Sequence, residues 1–245
     1  MTRPGAGLTV EAEDYLKAIY EISRGASAAA SETGALVGTN ALAERLGIAA
    51  ASVSGMLGRL TKLGVVKTER YRGTRLTTRG RVIALQLIRR HRIIESYLVT
   101  RLGFAWEDVH DEAERLEHAA SAELVDRMAH DLGNPTADPH GAPIPTADGD
   151  VDERRFATLA SLEVGASARV QGMSDRDGEL LRYLADRGIT PGARVRVESR
   201  EPFEGPITLA VGKGKASVSY SAASHVRVDG GEIAPTARTK SRRRR

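Results

Sequence analysis

A helix-turn-helix pattern followed at once by a short basic hairpin is the feature that most restricts how this chain can fold. Leu42 and Leu46 are one helical turn apart, and Gly47 supplies the tight turn before a second helical segment over 49–60. Residues 63–77 then predict two short strands around a Tyr-Arg-Gly turn. This order of elements predicts a winged helix, which is a DNA-binding fold.

Side chains suited to DNA contact accompany this pattern. The small residues that open the second helix let it approach base edges closely, hydroxyl groups can donate to phosphates or bases, and arginines near the wing tip can meet the phosphate backbone. The DNA-binding candidates are Thr39, Asn40, Ser52, Ser54, Arg59, Lys62, Arg70, Arg72 and Arg75. The alternative interpretation is an unrelated hairpin with ordinary surface arginines, but the order of the elements favours DNA binding.

A predicted helix further along the chain carries a stripe of possible metal ligands. Residues three and four positions apart lie on one face of a helix. The stripe at this spacing consists of His110, Glu114, Glu117 and His118. His91 and Glu95 repeat the spacing on the preceding predicted helix. Imidazole nitrogens and carboxylate oxygens without a thiolate favour a divalent cation of hard to borderline character, whereas a solvated charged face is the alternative interpretation.

Asp14 is a further carboxylate in an unusual position, one turn into the first predicted helix and beside the apolar residues Tyr15, Leu16 and Ile19. An acid in the first turn is favoured by the helix dipole, which is one explanation of this position. The other explanation is that Asp14 is donated as a ligand to the later helices.

The composition restricts the class of protein. Hydrophobic residues make up 41% and charged residues 28% of the chain, as is typical of a soluble globular protein, and the formal net charge is +4. Aromatic residues are only 4%, which disfavours a protein that stacks single-stranded bases. The absence of cysteine excludes disulfides and thiolate zinc sites. Since no apolar run has the length of a membrane span and the start is no signal peptide, we expect a cytoplasmic protein with no membrane partner.

The chain divides into three folded regions and a tail. We predict a winged helix-turn-helix DNA-binding domain over 1–78, and a helical metal-binding and dimerisation domain with its linker over 79–150. Several short strands over 151–230 predict a small SH3-like barrel. Residues 231–245 form a basic tail that should be disordered and either attractive to phosphates or merely solubilising. The predicted fold class is mainly α with a small β domain.

The residues assembled above resemble the diphtheria toxin repressor family of metal-activated transcription factors. The matching segments are Glu13–Glu21, the end of the winged helix at Leu76–Gly80, Arg90–Arg92, His110–His118, Gly133–Pro135 and Pro143–Pro145. The resemblance covers nearly the whole chain, including the SH3-like domain. It implies a homodimer that binds double-stranded operator DNA when Mn(II) or Fe(II) loads its sites, repressing metal uptake genes. A two-fold dimer also matches a palindromic operator. No small-molecule substrate other than metal ions is implied.

The resemblance implies two groups of metal ligands. The first group is Asp14, Glu114, Glu117 and His118, and the second is His91, Glu95 and His110. The iron-sensing branch of the family also draws ligands from the SH3-like domain, where Asp177 and Glu179 lie near the corresponding stretch in a loose alignment.

The types of ligand imply the metal. In the iron-sensing branch, methionine and cysteine typically stand at the positions of Asp14 and Glu114, but this chain has carboxylates at both, as in the manganese-sensing branch. Oxygen in place of sulfur suits Mn(II). Mn(II) is therefore the expected cofactor, with Fe(II) as the alternative and other divalent transition metals as substitutes. Lys17 departs from the manganese-sensing pattern, because some members have an acid at that position.

Two other classes of protein use similar residues. A metallohydrolase also builds its site from carboxylates and histidines on helices. However, the inverted zinc-protease motif His-x-x-Glu-His requires histidine at the position of Glu114. A metal-independent architectural DNA-binding protein would leave the acidic face solvated, and chelators would not change its affinity for DNA. We therefore expect a regulator and not an enzyme.

Overall fold

The computed structural model describes residues 7–25, 35–152 and 154–229. These residues form two compact units. The first unit contains the described residues up to 105 together with Val109–Asp138 and Pro143–Asp152, and the second contains Trp106–Asp108, Pro139–Ala142 and 154–229. The predicted basic tail lies outside the described residues. No helix within the described ranges is both long enough and apolar enough to cross a membrane.

The first unit begins with a winged helix. Its elements are α1 (Val10–Gly25), α2 (Thr39–Leu46), α3 (Ala50–Lys62), β1 (Val66–Glu69) and β2 (Gly73–Leu76). Gly47 ends α2 in the left-handed conformation with φ 65°, which a residue without a Cβ adopts at little cost. β1 and β2 pair antiparallel, and Val37 forms a further bridge to Thr74. The buried side chains of α3 pack into a core that also contains residues of α1 and of the helix that follows the wing.

Three further helices complete the first unit, namely α4 (Thr78–Leu102), α5 (Val109–Glu117) and α6 (Ala122–Asp131). The side chain of Thr77 accepts a hydrogen bond from the Gly80 amide and caps α4. α4 is the central element, because it contacts α1, α5 and α6. Its apolar residues are buried along most of its length, which explains how one 25-residue helix can be stable.

The segment after α6 packs on α4. The guanidinium of Arg92 donates to the carbonyl of Pro143 at 2.5 Å, and that of Arg89 donates to the carbonyl of Pro145 at 3.1 Å. Ile144 between the two prolines is buried against Ile93 and its neighbours. Residues 143–145, which lie in the stretch that its Pro, Gly and Asp content marks as a linker, are therefore held to the helical part of the unit.

The second unit is a small antiparallel sheet domain. Its elements are β3 (Ala157–Thr158), a 3-10 turn (Leu159–Ser161), β4 (Ser167–Met173), α7 (Gly178–Ala185), β5 (Arg194–Arg200), β6 (Ile207–Val211), β7 (Gly214–Val218), α8 (Tyr220–Ser224) and β8 (Val226–Val228). The strand order is β3-β8-β4-β5-β6-β7. In β5, Val195 and Val197 are buried and alternate with exposed arginines, as expected for a strand with one face on a core. The predicted fold class, mainly α with a small SH3-like β domain, is confirmed.

Candidate metal centre

The ligands that the resemblance assigns to the first group come together in the first unit. Asp14 lies on α1, Glu114 and Glu117 on α5, and His118 directly after α5. One ligand atom from each of the four side chains lies within 4.8 Å of the others. The Nε2 atom of His118 is 3.0 Å from Oδ1 of Asp14 and 3.4 Å from Oε1 of Glu117. We refer to these four side chains as the carboxylate cluster.

His118 lies outside the helix on which the sequence placed it. α5 ends at Glu117, and the amides of Ala119 and Ala120 both bond to the carbonyl of Leu116. Ser121 then starts α6, since its side chain accepts a hydrogen bond from the Leu124 amide at 3.1 Å. α5 therefore ends one residue before the last member of the predicted stripe, and the His118 ring contacts Asp14 of α1.

Glu13 completes the surroundings of His118 and was not assigned a role by the sequence. Its Oε2 atom is 3.0 Å from Nδ1 of His118, and its side chain is fully buried. A histidine that binds metal commonly donates its other ring N–H to a carboxylate, which fixes the tautomer and the ring orientation. Neighbouring residues on a helix point about 100° apart, so the position of Asp14 did not indicate that Glu13 reaches the same imidazole.

These contacts change the protonation of His118. Hydrogen bonds with Asp14 and Glu13 raise the pKa of His118 to about 9, against the opposing effect of burial. The ring is therefore protonated at neutral pH in the metal-free chain. Since a metal ligand has to be deprotonated, a metal ion bound by His118 would have to displace this proton.

The second group of ligands is also assembled within the first unit. Nε2 of His91 on α4 is 3.0 Å from Oε1 of Glu95 and 3.2 Å from Nδ1 of His110 on α5. Nδ1 of His110 is in turn 3.3 Å from Oε1 of Glu95. His91 and Glu95 are buried, and His110 is half-buried.

The two groups adjoin through His91 and Glu117. Nδ1 of His91 is 2.5 Å from Oε2 of Glu117, while its Nε2 faces Glu95 and His110. Burial and the positive charge of Lys17 oppose protonation of His91, but hydrogen bonds with Glu117 and Glu95 outweigh them and raise the pKa of His91 to about 9. One imidazole thus connects the carboxylate cluster to the second group.

Lys17 reaches into the carboxylate cluster from α1. Its side chain is only 7% exposed, and its Nζ is 2.9 Å from Oε1 of Glu114 and 3.0 Å from both carboxylate oxygens of Glu117. Burial disfavours the ammonium, but the negative charges of Glu117 and Glu114 dominate and raise the pKa of Lys17. Burial likewise opposes ionisation of Glu114, and Lys17 outweighs it to lower the pKa of that carboxyl.

The donor set fits a divalent cation. Three carboxylates and one imidazole, with no sulfur, are ligands of hard to borderline character. When His118 is neutral, the three carboxylates exceed the single ammonium of Lys17 by two negative charges. Partly buried charges of one sign need a partner, and one divalent ion supplies this compensation.

The two candidates from the SH3-like domain have a different environment in the second unit. Oδ1 of Asp177 accepts a hydrogen bond from the Leu180 amide at 3.0 Å and caps α7. Glu179 lies in the first turn of the same helix. Among the residues that the structure describes, neither belongs to a group of side chains close enough to share a metal ion.

Most of the DNA-binding candidates lie on exposed parts of α3 and of the wing. The exposed candidates are Asn40, Ser52, Ser54, Arg59, Lys62, Arg70 and Arg72, while Thr39 and Arg75 are half-buried. Arg72 and Arg75 both contact the carboxylate of Glu69, at 2.8 and 3.2 Å. A Cβ atom added at Gly55 or Gly58 of α3 would meet nothing within 4 Å. Packing within the chain therefore does not require glycine at either position, which is consistent with close approach of a second molecule to this face.

Three family models match the chain in succession. "Iron dependent repressor, N-terminal DNA binding domain" matches residues 7–74, and "Iron dependent repressor, metal binding and dimerisation domain" matches residues 77–146. The "FeoA domain" matches residues 157–230.

Known proteins are similar over most of the chain. The iron-dependent repressor IdeR of Mycobacterium leprae is 31% identical over 230 residues, which cover 89% of this chain and 96% of the relative. The diphtheria toxin repressor of Corynebacterium diphtheriae is 34% identical over 208 residues, covering 81% and 87%. A solved manganese-dependent transcriptional repressor in complex with manganese is 38% identical with a TM-score of 0.80, covering 89% of this chain and 99% of that chain. The chain therefore belongs to the diphtheria toxin repressor family of metal-dependent, DNA-binding transcriptional repressors, which are not enzymes.

Proposed function

We propose that this repressor is activated by Mn(II), binds a palindromic operator as a homodimer and controls genes of metal uptake. The observation that carries the choice of metal is the carboxylate cluster. Asp14 and Glu114 contribute oxygen atoms, and the only nitrogen donor of the cluster is His118. Acting on genomic DNA, the protein would work in the cytoplasm.

The choice between Mn(II) and Fe(II) follows from the softness of the ligands. A given site binds Fe(II) more tightly than Mn(II), and soft thiolate or thioether donors select the later, softer metals. Oxygen donors in place of sulfur at Asp14 and Glu114 remove the additional preference that thiolate and thioether donors give to the softer metal. Fe(II) is the second candidate, because the mycobacterial relatives are named iron-dependent repressors.

The proposed ligands connect the DNA-binding part of the unit to its helical part. α1 carries Asp14 on one side, and its Leu16 and Ile19 are buried in the core from which the winged helix is built. Glu114, Glu117 and His118 lie on and after α5, which packs on α4. A bound ion would supply a link between these two sets of residues.

This link explains how a metal could control DNA binding. Asp14 can join the cluster only when α1 is docked near the end of α5, so an ion that needs all four ligands favours that arrangement over others. In a two-fold dimer, fixing α1 restricts the positions of the two α3 helices to the spacing of operator half-sites. α3 would enter the major groove through Ser52 and Ser54, and the wing would contact phosphates through Arg70 and Arg72.

The test is capture of genomic DNA fragments by the purified full-length protein in Mn(II), in anaerobic Fe(II) and in chelator. We expect specific fragments to be retained only with metal, and Mn(II) to be sufficient for retention in the absence of Fe(II). An Asp14→Ala variant should lose this retention, whereas Asp111→Ala, an exposed position on α5, should keep it. Equal capture in chelator would leave a metal-independent DNA-binding protein, and capture with Fe(II) but not with Mn(II) would reverse the choice of metal.

A further inference from the structure

Lys17 is a buried cation at a place where the proposed function puts a metal ion. Its Nζ contacts one carboxylate oxygen of Glu114 and both of Glu117, at 2.9 to 3.0 Å. Burying an ammonium is unfavourable unless partner charges surround it. The partners of Lys17 are two of the four proposed metal ligands, so the lysine competes with any cation for the same oxygen atoms.

The ammonium lies where the two groups of ligands meet. Nζ of Lys17 is 3.4 Å from Nδ1 of His91, and Oε2 of Glu117 lies within 3.0 Å of both nitrogens. A second cation bound next to the cluster would need these same atoms. Lys17 thus fills the position from which another ion could share Glu114, Glu117 and His91.

The charges of the cluster lead to the same conclusion. With Lys17 present, Asp14, Glu114 and Glu117 retain two net negative charges, and one divalent ion neutralises them. A second divalent ion would give the cluster a net positive charge, beside a lysine that cannot move away without leaving its carboxylates. Like charges a few ångströms apart in a partly buried site repel strongly.

We propose that Lys17 is a built-in substitute for a second metal ion, which limits the carboxylate cluster to a single divalent cation. The inference rests on the proposed metal site. It makes Lys17 a positioning residue that determines how many ions the site holds, and the ammonium keeps Glu114 and Glu117 pointed into the cluster.

The test counts bound Mn(II) and asks whether the ions are magnetically coupled. All samples carry His110→Ala, which removes a ligand of the second group, so that additional ions are assigned to the cluster. Metal content is measured after removal of free ions, and electron paramagnetic resonance distinguishes an isolated Mn(II) from a pair about 3.5–4 Å apart. Lys17→Glu replaces the ammonium by a ligand, and Lys17→Met removes only the charge. Lys215→Met is the matched control, because Lys215 pairs with Glu198 at 2.7 Å on an exposed surface.

With Lys17 in place, we expect one isolated Mn(II) per chain, and the same in the control. Lys17→Glu should show about a twofold rise in bound Mn(II) and a spin-coupled signal, as in two-metal sites. Lys17→Met should bind its first Mn(II) more tightly by about tenfold or more, because a like charge next to the ion is gone.

Several outcomes would overturn the inference. A coupled pair with Lys17 present refutes it, as does a folded Lys17→Glu variant that keeps one isolated ion. If Lys17→Glu fails to fold, Lys17→Met decides the matter, since unchanged or weaker affinity is incompatible with competition by the ammonium. If the protein that retains Lys17 binds no Mn(II) at all, the proposed function is refuted as well. The number of bound ions therefore distinguishes failure of the proposed function from failure of this inference alone.

Discussion

Competition with a proton at His118 should make Mn(II) binding strongly dependent on pH. The pKa of His118 is raised to about 9 by its hydrogen bonds with Asp14 and Glu13. At neutral pH the pKa is two units above the pH, so displacing the proton weakens apparent binding by roughly 100-fold. Apparent affinity should therefore rise by about tenfold per pH unit from about pH 6.5 until it levels near pH 9.

The same proton determines the sign of the pH dependence of folding. In chelator, protonated His118 stabilises the folded chain, because its folded pKa lies above the ordinary value of 6.5. This stabilisation is fully present below about pH 6.5 and is lost as the pH rises through about 9. Rising pH should thus destabilise the metal-free protein while it strengthens metal binding.

The assay is anaerobic Mn(II) titration over this pH range, with proton release measured by calorimetry in buffers of different ionisation enthalpy. Glu13→Gln removes one of the carboxylates that raise the pKa of His118, so the Mn(II) affinity of this variant should depend less on pH. Glu123→Gln, an exposed position on α6, should behave like the unaltered chain. A flat affinity profile with no proton release would refute the assignment of His118 as a protonated ligand.

Three further changes test the fold and the DNA-binding surface. Leu16→Ala removes a fully buried side chain from α1 and should lower the free energy of unfolding by about 2–5 kcal/mol in denaturant titrations, whereas the exposed Leu102→Ala should change it by less than about 0.5 kcal/mol. Gly80→Ala places a Cβ atom 1.9 Å from the carbonyl oxygen of Val65, so thermal melting should show a loss of about 1–3 kcal/mol, and an unchanged melting temperature would contradict this contact. Arg59→Ala should weaken binding to all DNA sequences alike. It should also reduce the slope of the logarithm of DNA affinity against the logarithm of salt concentration by about 1, as measured by fluorescence anisotropy over a series of salt concentrations. Loss of sequence preference without a change in slope would instead assign Arg59 to base contacts.

The winged helix could be predicted because its signals are local. Each signal depends on residues that are close together in the sequence. These signals are the helical spacing in α2 and α3, Gly47 at the turn between them, and the strand pattern of the wing. The same holds for the stripe on α5, where i, i+3 and i+4 positions share a face whatever surrounds them. The position of His118 was predicted less well, because α5 ends one residue before it and Ser121 caps a new helix, and i, i+3 and i+4 spacing does not show such a break.

The sequence by itself determined which side chains are available to a metal, namely carboxylates and imidazoles without sulfur, and on which helices all of the cluster except His118 lie. Only the tertiary structure decided which of them meet. α1 is separated from α5 by more than 80 residues, and its packing against α4 brings Glu13 and Lys17 to the same site as Asp14. The residue pattern of one helix specifies the directions in which its side chains point around the helix axis. It does not specify which neighbouring element each face contacts. The roles of Glu13 beside His118 and of Lys17 between Glu114 and Glu117 arise from long-range packing for that reason.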